Sequence, residues 1–157
     1  MADLNPRTVD VRAIDVCRVP FADNTFDVII CNHVLEHVPD DQKALSELFR
    51  VLKPTGFAVL QTPYSSLLEN SFCDPGINTD QLRNRFYGQE DHVRYYGRDL
   101  FRKMQEAGFC LQLTRHNDVL SDIDPLFYGV NPREDLILAE KASKDDPPQQ
   151  QNSPDKS

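Results

Sequence analysis

Asp15, Asn32, His33, Glu36, His37 and His92 are the residues of this chain whose types and spacing invite chemistry. Asp15 ends the segment Val11-Arg12-Ala13-Ile14, while Asn32 and His33 follow the apolar run Phe26-Asp27-Val28-Ile29-Ile30-Cys31. In an open α/β sheet, ligands sit beyond the carboxyl ends of the strands, so the turns after Ile14, Cys31 and Thr62 are where a site is expected. A carboxylate in such a turn can accept a hydrogen bond from an exocyclic amine such as that of adenine, and the backbone N–H of Val16 can address a ring nitrogen. A lone Asp at a strand end is more often a loop or cap residue, so Asp15 gains weight only from its neighbours. His33-x-x-Glu36-His37 has the spacing of an inverted zinc-peptidase motif, in which two histidines on one helical face hold zinc and Glu activates water. Pro39 opposes that reading, because it stands where the zinc-bearing helix must continue. Ordinary packing at a strand-to-helix junction is the competing account. His92, in Asp91-His92-Val93-Arg94-Tyr95-Tyr96, is placed to act as a base on an acceptor oxygen or nitrogen. A surface position at a helix entry is the plainer reading of that segment.

These residues need elements to hold them. Phe26 to Cys31 is short and nearly continuously apolar, the pattern of a strand buried on both faces of a parallel sheet. Pro39 and Asp40 mark a helix start. Leu45, Leu48, Phe49 and Leu52 recur at helical spacing, which directs one face to the sheet and leaves Lys43, Glu47 and Arg50 toward water. Lys53-Pro54-Thr55-Gly56 stops that helix, and Phe57 to Thr62 supplies a second strand. A further helix is expected over about 98–107, with Leu100, Phe101 and Met104 inward and Gly108 closing it. Phe109 to Thr114 and Leu136 to Glu140 read as two more strands. The alternation of strand and helix specifies an α/β fold of the doubly wound type. Residues 63–96 resist the scheme, and a connection that long points to a lid or a binding segment.

The order of motifs adds a resemblance. Val19-Pro20-Phe21, Asp23-Asn24-Thr25-Phe26-Asp27, His33-Val34-Leu35-Glu36-His37 and Arg50-Val51-Leu52-Lys53-Pro54-Thr55-Gly56 follow Asp15 in the order seen in the type 11 group of class I S-adenosylmethionine-dependent methyltransferases. Asp91 to Gly97 and Glu106 to Phe109 also look like this group, so the resemblance spans roughly residues 3–141. Val19 replaces the group's usual Leu, and Thr55 its first Gly. The resemblance implies a Rossmann-like sheet with S-adenosylmethionine as cofactor, Asp3 on the ribose, Asp15 and Val16 on adenine, and Asn32 and His33 beside the methyl donor. His33 and His92 are the candidate catalytic groups, although methyl transfer from a sulfonium needs chiefly in-line positioning in a dry pocket. With His33 in place of Glu, the His33, Glu36 and His37 trio is also similar to a Glu-x-x-Glu-His metal motif of methyltransferases acting on catechol or RNA ribose hydroxyls. No metal is expected on the preferred reading, in which this segment packs near the cofactor.

The family's first strand ends in a glycine-rich turn that this chain lacks; it has six glycines, and none forms such a turn. The resemblance therefore implies a sheet truncated at its amino-terminal side, without the first strand and glycine loop, and two strand edges left unpaired. Two expectations follow. One is methyl transfer to a small-molecule acceptor as a fragment of a longer enzyme. The other is an inactive truncated paralog that pairs with a complete methyltransferase, a complementing chain or its own copy through the exposed sheet edge.

Composition narrows the field. The 157 residues suffice for one domain, expected over residues 1–142, with a polar tail over 143–157 that has nothing apolar to offset the entropy of ordering. A net charge of -8 opposes attraction to phosphate backbones, which argues against a nucleic-acid partner. The apolar runs are too short for a membrane span. The scattered Cys17, Cys31, Cys73 and Cys110 form no close pair, so reduced thiols and a cytoplasmic location are expected.

Overall fold

The computed structural model describes residues 2–3, 10–119, 124, 127, 131 and 134–141. The expected tail over 143–157 lies outside these residues.

Asp40 starts the longest helix by accepting a hydrogen bond from the backbone N–H of Lys43 at 2.9 Å, which satisfies one of the free donors of the first turn. This helix, α1 (Asp41–Val51), buries Ala44, Leu45, Leu48 and Val51, the apolar stripe expected from their spacing. A later helix, α3 (Asp99–Glu106), buries Leu100 and Met104. Gly108 ends its run at φ 107, where a Cβ would sit 2.7 Å from the Phe49 ring. Only glycine meets both conditions.

The strands form two sheets. β1 (Ala2–Asp3) pairs parallel with β2 (Arg12–Ala13). The larger sheet has the order β3-β4-β6-β5, built from β3 (Phe26–Ile30), β4 (Leu52–Val59), β5 (Phe109–Arg115) and β6 (Asp135–Lys141). β3 and β4 run parallel, whereas β6 is antiparallel to both of its neighbours. β4 begins directly at the end of α1, five residues earlier than the apolar run at Phe57 suggests, because Lys53-Pro54-Thr55-Gly56 enters the sheet with a register shift opposite β3. A Cβ on Gly56 would lie 2.6 Å from the Asp27 carbonyl oxygen, so the close approach of β3 and β4 requires glycine there.

Register assigns the faces. Ile29, Ala58, Ala139 and Leu111 stand in one row across the sheet and belong to the core cluster shared with α1 and α3. Val28 and Phe57 stand in the adjacent row on the opposite face, and Val28, Ile30 and Phe57 are exposed, Ile30 by 70%. The expectation that β3 is buried on both faces is therefore corrected. β3 is an end strand of its sheet, and no described helix covers the second face.

Glu47 and Arg50 are also corrected, since both are half-buried and engaged by the turn after β2. Arg50 donates to the carbonyls of Val19 and Phe21 at 2.9 and 2.8 Å, and it pairs with Glu47 and Asp23. Glu47 accepts the Val19 N–H at 2.9 Å. The turn following β2 folds down onto α1 and supplies partners that helical periodicity cannot foresee.

The long connection over 63–96 contains a helix of its own, α2 (Asp80–Tyr87), capped by the Thr79 hydroxyl and ended by Gly88 at φ 90. The return of this connection is not a surface helix entry. His92, Arg94 and Tyr96 are buried; Val93, Arg94 and Tyr96 hydrogen-bond to the segment that follows β3, and His92 to the Tyr87 carbonyl. Among the described residues no helix is long and apolar enough to cross a membrane.

Candidate active site

The candidate site grows from the carboxyl end of β3. The N–H groups of Cys31 and His33 continue the ladder past the strand by donating to Val59 and Gln61 carbonyls at 2.9 and 2.7 Å. His33 then adopts φ 53, a left-handed conformation that L residues seldom take, and the chain turns into a 3-10 turn over Leu35–His37. That turn drives Leu35 and Glu36 inward. His33 and Asn32 remain exposed at the strand end.

Glu36 is 2% exposed, which is costly for a carboxylate without partners. Its Oε2 accepts the Thr62 hydroxyl at 2.7 Å, so the ends of β3 and β4 are joined through side chains. Its Oε1 lies 3.3 Å from His33 Nδ1, within ion-pair range, but that contact lacks hydrogen-bond alignment and Oε1 has no donor. The sequence marks the turn after Thr62 as a site position, but not the Thr62 hydroxyl as the partner of Glu36.

The strip from His92 to Tyr96 is zipped onto the turn after β3. Val93 donates its N–H to the Glu36 carbonyl at 2.9 Å, Tyr96 its hydroxyl to the Leu35 carbonyl at 3.3 Å, and Arg94 its guanidinium to Val38 and Pro39 carbonyls at 2.8 and 2.7 Å. Arg94 also pairs with buried Asp41, which receives Lys103 at 2.8 Å and Tyr96 at 3.1 Å. Burial pushes the Asp41 carboxyl up, but hydrogen bonds from Arg94 and Lys103 outweigh it and leave the carboxyl below its ordinary value. His92 thereby comes to lie against His37, ring centroids 4.7 Å apart and edge to face.

On the other sheet, Asp15 lies just beyond β2 and Asp3 sits in β1 in register with Ala13. The two acids thus occupy the carboxyl ends of adjacent parallel strands. Asp15 Oδ1 accepts the Cys17 N–H at 2.8 Å, a loop-capping bond. Val16 is half-buried and packs against the core. The hydrogen bonds of Asp15 run to Cys17 and Arg18, not to Asn32 or His33. The five residues expected around a cofactor therefore stand in two groups, one on each sheet.

Comparison with known proteins bears on this arrangement. Residues 2–60 match the methyltransferase domain family. Over those residues the chain is similar to the class I methyltransferase domain. It is 38% identical over 119 residues to a probable S-adenosylmethionine-dependent methyltransferase of Mycolicibacterium smegmatis, covering 74% of this chain and 42% of that protein. It is 43% identical over 106 residues to a demethylmenaquinone methyltransferase of Lactiplantibacillus plantarum, covering 68% and 40%. The fold is similar to that of a Burkholderia thailandensis 1,6-didemethyltoxoflavin-N1-methyltransferase solved with 1,6-didemethyltoxoflavin and S-adenosylhomocysteine, at TM-score 0.55 and 17% identity over 90% of this chain and 60% of that one. The chain spans less than half the length of the curated relatives it matches. S-adenosylmethionine is the methyl donor of this family, and the mixed α/β sheet of this chain resembles the fold of its solved members.

Proposed function

We propose that the chain carries the nucleoside-binding side of an S-adenosylmethionine-dependent methyltransferase acting on a small molecule. The observation that supports this reading most is the placement of Asp3 and Asp15 at the carboxyl ends of the adjacent parallel strands β1 and β2. Two carboxylates so placed fit the ribose hydroxyls and the adenine amine of a nucleoside, both of which are donors. The Val16 N–H serves a ring nitrogen. Asn32 and His33, past the end of β3, border the methyl-donor side, and His33 is the more accessible of the two candidate bases because His92 is only 6% exposed. All the glycines lie beyond residue 55, so the fit covers the nucleoside half of the cofactor and not its methionine half.

When bound, the cofactor supplies an electrophilic methyl on sulfur; the acceptor's lone pair forms the new bond as the carbon–sulfur bond breaks, and the thioether leaves. The residues of this chain contribute binding and orientation, which lower the barrier by holding donor and acceptor in line. The charge of -8 and the small-molecule relatives favour a metabolite over a nucleic acid as acceptor.

Calorimetric titration of the purified full chain with S-adenosylhomocysteine tests this reading. Saturable binding that Asp15→Ala weakens by about tenfold, the loss of one hydrogen bond to a charged group, is the expected result. Binding unchanged by Asp15→Ala and Asp3→Ala, in protein shown to be folded by circular dichroism, overturns it.

A second reading is a non-catalytic chain that pairs with another methyltransferase or its own copy. Exposed Val28 and Ile30 on the end strand β3 support it. Sedimentation velocity showing a dimer that Ile30→Lys dissociates favours this account; a monomer at all concentrations removes the self-pairing form.

A further inference from the structure

We propose that Glu36, His37 and His92 form a binding site for a divalent first-row transition metal, with Zn2+ or Co2+ as its natural occupants. One carboxylate oxygen of Glu36 and one ring nitrogen from each histidine lie within 4.8 Å of one another. The trio differs from the His33, Glu36 and His37 set that linear spacing suggests, since the fold delivers His92 from 55 residues away through the bond between the Val93 N–H and the Glu36 carbonyl.

The hydrogen bonding of the rings carries the argument. His92 Nδ1 lies 2.9 Å from the Tyr87 carbonyl oxygen, an acceptor only, so Nδ1 bears the proton. His37 Nδ1 faces two acceptors at 3.3 Å, the Asp91 carbonyl and the Asp91 carboxylate. Each Nδ1 is thereby engaged with an acceptor, which makes Nε2 the nitrogen available to a metal. Outer-shell carbonyl and carboxylate partners of this kind orient histidines that bind metals.

Glu36 adds a second, independent observation. Its Oε1 is buried without a donor in a residue 98% removed from solvent. A ring nitrogen of each histidine and a carboxylate oxygen of this buried Glu36 are thus close neighbours, with His33 Nδ1 at 3.3 Å from Oε1 but out of hydrogen-bond alignment. Buried acceptors without a donor are rare in folded proteins. Two imidazoles and one carboxylate are the ligand set of Zn2+, Co2+ or Fe2+, not of Mg2+ or Ca2+, which take oxygen. Tetrahedral bonds of about 2.1 Å bring ligand atoms to about 3.4 Å apart. Rotation of His37, whose side chain is 31% exposed, supplies that closure and the route for entry. A fourth position stays open for water or a substrate oxygen. This site stands independently of methyl transfer.

The test uses the full chain, freed of metal by a chelator that is then dialysed away, and titrated with Co2+. One equivalent producing the visible bands of a tetrahedral ion, displaced by Zn2+, is expected. His37→Ala and His92→Ala each weaken uptake at least tenfold, while His116→Ala, just past β5, leaves it unchanged. Because His92 is buried and its replacement risks the fold, nitrogen NMR of the unaltered chain provides a second readout: Zn2+ moves the Nε2 resonances of His37 and His92 and not those of His33. Failure of the folded chain to take up either metal overturns the proposal, as does uptake that survives His37→Ala. So does a cluster in which a proton alone occupies an Nε2 and no metal displaces it.

Discussion

Arg94→Ala is the perturbation whose consequence the structure specifies most fully. The guanidinium is 6% exposed, donates to the Val38 and Pro39 carbonyls, and pairs with Asp41, itself 5% exposed. Truncation leaves a buried carboxylate with one cation fewer and two carbonyls without their donor. Breaking a buried pair by removing one partner typically costs about 3–5 kcal/mol, and because Lys103 still reaches Asp41 the lower figure, about 3 kcal/mol, applies. With a urea dependence of about 2 kcal/mol per molar, the unfolding midpoint should fall by about 1.5 M. The sign with pH provides a check. Asp41 has a folded pKa below its unfolded one, so its stabilisation is present above the unfolded value and is lost as pH falls through the folded one. In Arg94→Ala the acid-side loss should be smaller, because less of that depression remains to be lost. Urea unfolding followed by circular dichroism, at neutral pH and at pH values below the ordinary carboxylate range, measures both effects. A midpoint shift under about 0.5 M, which corresponds to about 1 kcal/mol, would refute the view that Arg94 locks the return strip onto the turn after β3.

Other outcomes follow from single contacts. Gly108→Ala should destabilise by about 2 kcal/mol, read as a lower urea midpoint, because φ 107 and a Cβ 2.7 Å from the Phe49 ring oppose any side chain. The hydrogen bond from Arg50, opposed by burial and aided by the Val19 N–H, lowers the Glu47 carboxyl to about 2 from 4.5. Its contribution is present above the unfolded value and is lost as pH falls through that window, so Glu47→Gln should narrow the difference between stabilities measured at its two ends. Burial, with neighbouring Glu36, pushes the Cys31 thiol up to about 12, whereas Cys73 is exposed. Iodoacetamide at mildly alkaline pH should label Cys73 and spare Cys31 in the folded chain, as read by peptide mass spectrometry.

Elements with local signals were legible in the sequence. Asp40 caps α1 through a bond to a residue three positions on, and Leu45 and Leu48 face inward because 3.6-residue periodicity places them together. Gly108 marks the end of α3 for a reason visible in one residue's φ. Such signals act within a few residues and survive whatever the rest of the chain does. Val28 and Ile30 show the limit. Their apolar character announces a strand, but whether a second layer covers them depends on elements remote in sequence, and the described residues place none there. The same limit applies to Glu47 and Arg50, which a helical wheel places toward water and the turn over 19–23 recruits as a clamp.

The amino-acid sequence by itself determined the order of the elements, the acids Asp3 and Asp15 near strand ends, and the likeness of residues 2–60 to the class I methyltransferase domain. Tertiary structure alone decided which histidine meets His37. Spacing along one turn favours His33, but positive φ turns its side chain to the surface, while hydrogen bonds between the strip over 92–96 and the turn over 35–39 bring His92 in its place. Local periodicity carries no information about how a long connection closes, and that closure sets which side chains share a site.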